Sequence, residues 1–308
     1  MTAVIETKAL SKWYGNVLGL SDVSLQIEAG ITGLLGPNGA GKSTFMKLLT
    51  GQIKPNIGEV RISGQRIWNN FGLFARIGFC QEQDSFYEEV TGWEFLSGLL
   101  KFFHFSPAEI KTRAERALDI VELLKDKDRL IRAYSRGMRQ RLKFAQAIAH
   151  DPEIMILDEP LNGLDPLGKR KLIHLVKDYK SQGKVIIVSS HVLPEIEAMT
   201  SNIVLIHQGK ILARGDIHYI RDLIESHPHI ISIKCSKPRE LASKFIAQDF
   251  ILKVTFGPEP ETLVVETHNR DKLFGLLPAL LIDNAIEVEE ITSPDDNLQA
   301  VFDYLVGK

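Results

Sequence analysis

Cysteine is nearly absent: the 308 residues hold 2, Cys80 and Cys235, without a Cys-x-x-Cys spacing. That argues against a disulfide framework or a zinc site and fits a reducing compartment. Excess charge is missing as well. Lys and Arg number 37 against 39 Asp and Glu, for a formal net charge of −2. No basic field marks nucleic acid as a partner. No apolar run approaches the ~20 residues that a membrane span needs, so action at a membrane requires another chain to supply the spans. The first residues, Met1-Thr2-Ala3-Val4-Ile5-Glu6, lack the basic-then-apolar pattern of a secretory leader. The rest is ordinary for a soluble globular protein: 44% hydrophobic and 25% charged, with length for two domains and a sizeable core.

The most specific segment present is Gly36-Pro37-Asn38-Gly39-Ala40-Gly41-Lys42-Ser43-Thr44, which matches G-x-x-x-x-G-K-[ST] at every fixed position. It follows the apolar run Ile31-Thr32-Gly33-Leu34-Leu35 and precedes the helical pattern Phe45-Met46-Lys47-Leu48-Leu49. Strand, glycine loop and helix are the context in which this motif cradles phosphate. Glycines let backbone N–H groups converge on an anion, and the helix start adds partial positive charge. Lys42 is then placed to reach the β/γ-phosphates of a nucleotide, and the Ser43 hydroxyl to ligate Mg²⁺.

Along the chain, the first thirty residues alternate apolar and polar, as in Val23-Ser24-Leu25-Gln26-Ile27, and read as an antiparallel edge sheet. Gly51, Pro55, Gly58 and Gly64 mark a turn-rich hairpin, and Arg76–Cys80 a strand. Residues 91–148 carry 3.6-residue periods, such as Ala114 to Leu124 and Met138 to Ile148, and form an inserted helical block. The apolar runs Ile154–Leu157, Val185–Val188 and Ile203–Ile206, with a helix over Leu167–Lys180, predict a buried parallel sheet. From about residue 225 the reading changes to strand 230–234, helix 238–248, strands 251–254 and 263–266, helix 270–281 and strand 285–291. That β-α-β-β-α-β order is ferredoxin-like. A short helix, Asn297–Tyr304, follows, and nothing in this tail suggests catalysis.

Three further constellations carry chemistry. Asp158-Glu159 ends the run Ile154–Leu157. Such a pair also occurs as a solvated turn, but beside a phosphate cradle in one sheet the catalytic reading prevails. Asp158 would hold Mg²⁺ opposite Ser43, and Glu159 would orient and deprotonate a water for in-line attack. Tyr134-Ser135-Arg136-Gly137-Met138 opens a helix. Ser135 is either a helix cap or, with the Gly137 N–H and the helix dipole, part of a second anion site. His191 follows strand Val185–Val188 and is either a surface histidine or a group facing the ligand crevice at the strand ends.

Taken in order, the cradle, Tyr134–Met138, Ile154–Glu159, Leu164-Asp165 and His191 resemble an ABC-type ATPase, the nucleotide-binding subunit of an ABC transporter. The resemblance implies an α/β fold. An ABC ATPase domain covers residues 1–222, with a parallel sheet, an antiparallel edge sheet and a helical subdomain at about 85–150; a small α+β domain covers 223–308. It implies ATP and Mg²⁺ as cofactors, Lys42, Glu159 and His191 as catalytic residues, and residues 36–44 as the nucleotide cradle. It implies a head-to-tail dimer in which Ser135 and Gly137 meet the γ-phosphate on the partner's cradle and Asp165 lines the interface. Tyr14 matches the aromatic that stacks on adenine, with Trp13 the less favoured neighbour. Counting from Gly78 places Glu82, flanked by Gln81 and Gln83, where the family has a magnesium-touching glutamine. The Tyr-Ser-Arg-Gly-Met signature and the small tail domain resemble exporter-type systems.

The implied partners are a membrane-spanning permease and a second copy of the chain, or a paralogue, on the inner face of the cell membrane. Phe86, Tyr87, Trp93 and Phe95 either meet that permease or belong to the core. The alternative function, a soluble ABC-type ATPase acting on a ribosome or DNA, is opposed by the single cradle, the absence of a heptad run and the charge of −2. A nonhydrolysing, ATP-gated module is opposed by Glu159 and His191.

Overall fold

Alternating apolar residues at the start of the chain form two long strands, β1 (Ile5–Tyr14) and β2 (Val17–Ile27), paired antiparallel from Ile5↔Ile27 to Tyr14↔Val17. The protein is described by a computed structural model covering residues 4–216, 229–257, 259 and 261–293. The chain divides into two units, Met1–Gly215 and Asp216–Lys308.

In the first unit, β3 (Gly30–Leu35) leads through the glycine loop into α1 (Lys42–Leu49). Next come β4 (Ile57–Ile62), β5 (Gln65–Arg66), α2 (Phe71–Phe74) and β6 (Ile77–Cys80). The helical block holds α3 (Gly92–Leu100), α4 (Pro107–Ile120) and α5 (Arg136–Ile148). Then follow β7 (Ile154–Leu157), α6 (Pro166–Ser181), β8 (Val185–Ser190), α7 (Leu193–Glu197), β9 (Asn202–His207) and β10 (Lys210–Asp216).

Strands β2-β1-β4-β5 make one sheet and β10-β9-β3-β8-β7-β6 another. In the second, the pairs β3–β8, β3–β9, β7–β8 and β6–β7 are parallel. Every residue of β7 and β8 is buried, which is why these strands read as continuous apolar runs rather than alternation. Phe45, Met46, Leu48 and Leu49 of α1 pack with Leu10, Leu20, Val60 and Ile62 of the antiparallel sheet and Ile156, Ile187 and Val204 of the parallel one. Because β3, β8 and β7 are neighbours, the chain segments leaving their C-terminal ends emerge side by side, the position where open parallel sheets bind ligands.

The helical block is bounded by local signals. Thr91 and Ser106 cap α3 and α4 in reciprocal boxes with Glu94 and Glu109. The helix expected to run to Leu124 stops at Ile120, because Glu122 takes a left-handed conformation (φ 57°) and Leu124–Asp126 forms a separate 3₁₀ turn. Tyr134 ties that turn to the start of α5 by donating its hydroxyl to the Asp126 carbonyl at 2.9 Å. Of the four aromatics, Phe95 is buried and meets Phe86 edge-on, whereas Tyr87 is 76% exposed. Burial pushes the Cys80 thiol up to about 12, in keeping with a structural rather than reactive cysteine.

His150, just after α5, stacks on Phe103 with ring centroids 4.3 Å apart and bonds the Ile77 carbonyl through Nε2 at 3.1 Å. Burial lowers its pKa from 6.5 to about 4. The unfolded chain therefore binds more protons than the folded one between those values, so stability rises with pH across that window. Unfolding free energy is expected to fall by about 2–3 kcal/mol at most as pH drops from 6.5 towards 4. Denaturant titrations of the wild type and His150→Gln check this; an equally steep acid slope in the variant would remove His150 as its source.

The second unit contains β11 (His229–Cys235), α8 (Pro238–Ile246), β12 (Ile251–Phe256), β13 (Thr262–Thr267), α9 (Arg270–Asp283) and β14 (Val288–Thr292). Its sheet runs β12-β13-β11-β14, antiparallel throughout. One face buries Ile231, Ile233, Leu263 and Val265 against Leu241 and Phe245 of α8 and Leu273 and Leu277 of α9. The last strand begins at Val288 rather than Ala285, whose left-handed backbone (φ 47°) belongs to the turn after α9. The helix expected over residues 297–304 lies outside the described residues. Among the described residues, no helix is long and apolar enough to cross a membrane.

Candidate functional site

The loop from Gly36 to Gly41 can be built only with glycine at its ends. A Cβ on Gly36 would fall 2.4 Å from the Ile206 carbonyl oxygen, and one on Gly41 2.7 Å from the Gly19 carbonyl oxygen, with φ at +107° besides. Gly41 precedes α1 without a side-chain cap. The first-turn N–H groups, among them those of Lys42, Ser43 and Thr44, therefore have no acceptor within the helix and face the loop's concavity. Lys42 folds back over the loop, and its Nζ donates to the carbonyls of Gly36 at 2.6 Å and Pro37 at 3.2 Å. A buried ammonium beside a helix start with unpaired amides is the chemistry that a polyphosphate requires.

The same ammonium lies 3.3 Å from Glu159 Oε1, with both side chains about 95% buried. Nδ1 of His191 faces both Glu159 carboxylate oxygens at 3.1 Å. Lys42, Glu159 and His191, which come from three different strand ends, thus form one cluster. Glu159 is itself left-handed (φ 47°), a backbone state that costs a non-glycine residue roughly 1 kcal/mol and is typical of working sites. Its amide donates to Ser189 Oγ at 2.9 Å, and its carbonyl accepts from Gln140 Nε2 at 3.4 Å. The Ser189 hydroxyl in turn donates to Asp158 Oδ1 at 2.6 Å. Ser189 therefore sets the orientation of both acidic residues. It is fully buried at the end of β8. The sequence signal for its role is a hydroxyl terminating an apolar strand, which by itself does not distinguish Ser189 from Ser190.

Other expected residues occupy distinct places. The Tyr14 ring borders the cradle's helix: a Cβ on Gly19 would meet Tyr14 Cε2 at 3.0 Å and Thr44 Cγ2 at 3.3 Å. Tyr14 is 46% exposed, and the Lys12 ammonium stands over its ring, 5.5 Å from the centroid. The main chain of the segment after β6 is pinned by buried Lys143, whose Nζ donates to the Glu82 carbonyl at 2.6 Å and pairs with Asp84 at 3.0 Å. The carboxylate of Glu82 is left exposed. Ser135 caps α5, with its Oγ accepting from the Met138 amide at 3.2 Å. Asp165 caps α6, with Oδ1 accepting from the Gly168 amide at 2.9 Å. Ser135, Gly137 and Asp165 gather around a groove of about 650 Å³, also lined by Gly163 and Arg141.

Among the described residues no group of three or more His, Cys, Asp or Glu is disposed to hold a metal alone. The donor set of one hydroxyl, Ser43, and one buried carboxylate, Asp158, suits Mg²⁺, which takes few protein ligands and completes its shell with phosphate and water oxygens.

The model of the ABC transporter family matches residues 20–162. The Bacillus licheniformis bacitracin transport ATP-binding protein BcrA is 33% identical over 312 residues, covering 100% of this chain and 98% of that protein. The Rhizobium johnstonii Nod factor export ATP-binding protein I is 32% identical over 240 residues, 77% of each chain. Among solved structures, an ATP-binding subunit of an ABC transporter superposes with a TM-score of 0.66 at 30% identity, covering 72% of this chain and 93% of its own. The dimeric structure of a bacterial ABC transporter cassette gives 0.65 at 26% identity, over 69% and 98%.

Proposed function

The chain belongs to the ABC transporter family, as an ATP-binding subunit of its ATPase class, and we propose that it drives export through a separate membrane-spanning permease by ATP-dependent closing of a dimer. The observation that carries this reading is the buried carboxylate of Glu159, held between the cradle lysine and His191. The relatives named for bacitracin transport and Nod factor export favour transport as the task and export as the direction. With no membrane-crossing helix among the described residues, the spans fall to the permease, and this chain would sit peripherally on the inner membrane face.

In this reading the β- and γ-phosphates settle on residues 36–44 and draw Lys42 from the Gly36 and Pro37 carbonyls. Ser43 and Asp158 would hold Mg²⁺, which when bound neutralises phosphate charge; Glu82 is a further candidate at its edge. The Glu159 carboxylate accepts a proton from the attacking water, and His191, on the same oxygens, orients the carboxylate and reaches the γ-phosphate. Tyr14 stacks on the adenine. Ser135 and Gly137, at the start of α5, complete the partner's site, and Asp165 lines the shared surface. Both halves of a composite site are present in one chain, which favours a homodimer with two equivalent sites.

The test is sizing chromatography of Glu159→Gln in Mg-ATP. A nucleotide-dependent shift to twice the monomer mass is the expected result. A monomer at saturating ATP would sink the dimer reading.

A further inference from the structure

The segment that follows Glu159 is fastened to one face of α5 at successive points. Gln140, buried, donates Nε2 to the Pro160 carbonyl at 2.7 Å and to the Glu159 carbonyl at 3.4 Å. One helical turn earlier on that face, Arg136 donates Nη2 to Asn162 Oδ1 at 2.9 Å. The stem of Arg136 lies flat on Gly163. A Cβ there would meet Arg136 Nε at 2.5 Å, Cγ at 2.9 Å and Cδ at 3.0 Å, and Gly163 has a φ of +81°. The neighbouring Gly137 faces Gly163 as well, since a Cβ on Gly137 would stand 3.7 Å from the Gly163 carbonyl oxygen.

Arg136 is out of place by helix electrostatics alone. A cation on the first residue of α5 opposes the helix dipole, and the Arg136 side chain is exposed. What holds it is the loop Asn162–Asp165. Asn162 supplies the acceptor, Gly163 the flat bed, and Asp165 closes the loop by capping α6. The Gln140 and Arg136 contacts thus differ in kind: one is buried, the other can be undone at the surface.

We propose that Arg136 is a positioning residue: it latches the loop Asn162–Asp165 to the start of α5, so that Ser135, Gly137 and Asp165 are presented to the second copy as one preformed surface. The proposal rests on the ATP-closed dimer described above and adds the device that orders its composite half-site. Ordering the loop beforehand removes an entropic penalty from dimer closure. The latch also ties the anion-site helix to the segment that starts at Glu159, so occupancy of one nucleotide site is felt at the carboxylate of the other.

The test is made in the full chain carrying Glu159→Gln, by analytical ultracentrifugation in Mg-ATP. That parent variant, with Arg136 intact, must dimerise; if it stays monomeric the dimer reading fails before the latch is touched. Adding Arg136→Ala is expected to weaken dimerisation roughly tenfold, adding Asn162→Ala by a similar factor, and combining them by no more than either alone. Arg136→Lys, which retains a donor for Asn162, should restore part of the loss. Binding of a fluorescent ATP analogue to the monomer and the thermal midpoint should stay at the parent's values. An unchanged dimer constant in Arg136→Ala overturns the latch. So does a loss there that Asn162→Ala does not share, which would mean that Arg136 acts on phosphate directly.

Discussion

Glu159→Gln is expected to bind ATP at near wild-type affinity and to lose turnover by about 10²–10⁴-fold, the usual worth of a general base. The substitution suits this site. The carboxamide keeps the shape of the carboxylate, its oxygen still accepts from Lys42, and the backbone bonds to Ser189 and Gln140 do not involve the changed group. The capacity to take a proton disappears together with the negative charge, so the Lys42 ammonium keeps an acceptor but loses its counter-ion. Steady-state phosphate release with parallel calorimetric titration of ATP separates the two effects. Turnover near the wild-type rate would remove Glu159 as the base. A loss of affinity equal to the loss of rate would instead make the carboxylate a binding group.

Lys42→Ala acts on the other side of the cluster, and affinity is what it should change. Its ammonium has two carbonyls and one carboxylate as partners, and in the proposed site these are what phosphate oxygens would replace. Charge-assisted bonds of this type are worth about 1.5–3 kcal/mol, so ATP affinity is expected to fall by on the order of 10²-fold. Truncation also leaves the buried Glu159 carboxylate with His191 but no lysine. Removing one partner of a buried pair is usually destabilising, so a lowered thermal midpoint should accompany the weaker binding. Calorimetry on the folded variant checks the first effect, and unchanged ATP affinity would contradict the cradle.

The cradle was legible in the sequence because its determinants are local. Gly36 and Gly41 are required by close backbone approaches, and their spacing to Lys42 is a run of consecutive residues. The parallel sheet was legible because strands buried on both faces must be apolar throughout. Less was visible wherever a residue's role depends on a partner far along the chain. Ser189 acts on Asp158 and Glu159 from 30 residues away, and Gln140 acts on Glu159 and Pro160 from the other direction. The end of α4 was hidden for a different reason: Glu122 adopts a positive φ without being glycine or asparagine, so no composition signal marks it. The aromatics near residue 90 divide by a helical period that begins only at Gly92. Phe95 falls on its inner face, while Tyr87 precedes the helix altogether.

The helical block leaves the parallel sheet at Cys80 and returns at Ile154, and the two strands it joins, β6 and β7, are paired neighbours. Because these strands are parallel, with Ile77 opposite Ile154 and Cys80 opposite Leu157, the block leaves at one end of the pair and re-enters at the other, about 10 Å away along the strands. The return across that distance is made by α5, which carries Ser135, Gly137 and Gln140 and lies so close to β6 that a Cβ on Gly78 would collide with the Ala147 carbonyl, so this helix is fixed by the sheet and by the site. If the proposed permease meets this block, α3 and α4 are where its surface would diversify, while α5 and the strand ends around Glu159 stay as they are.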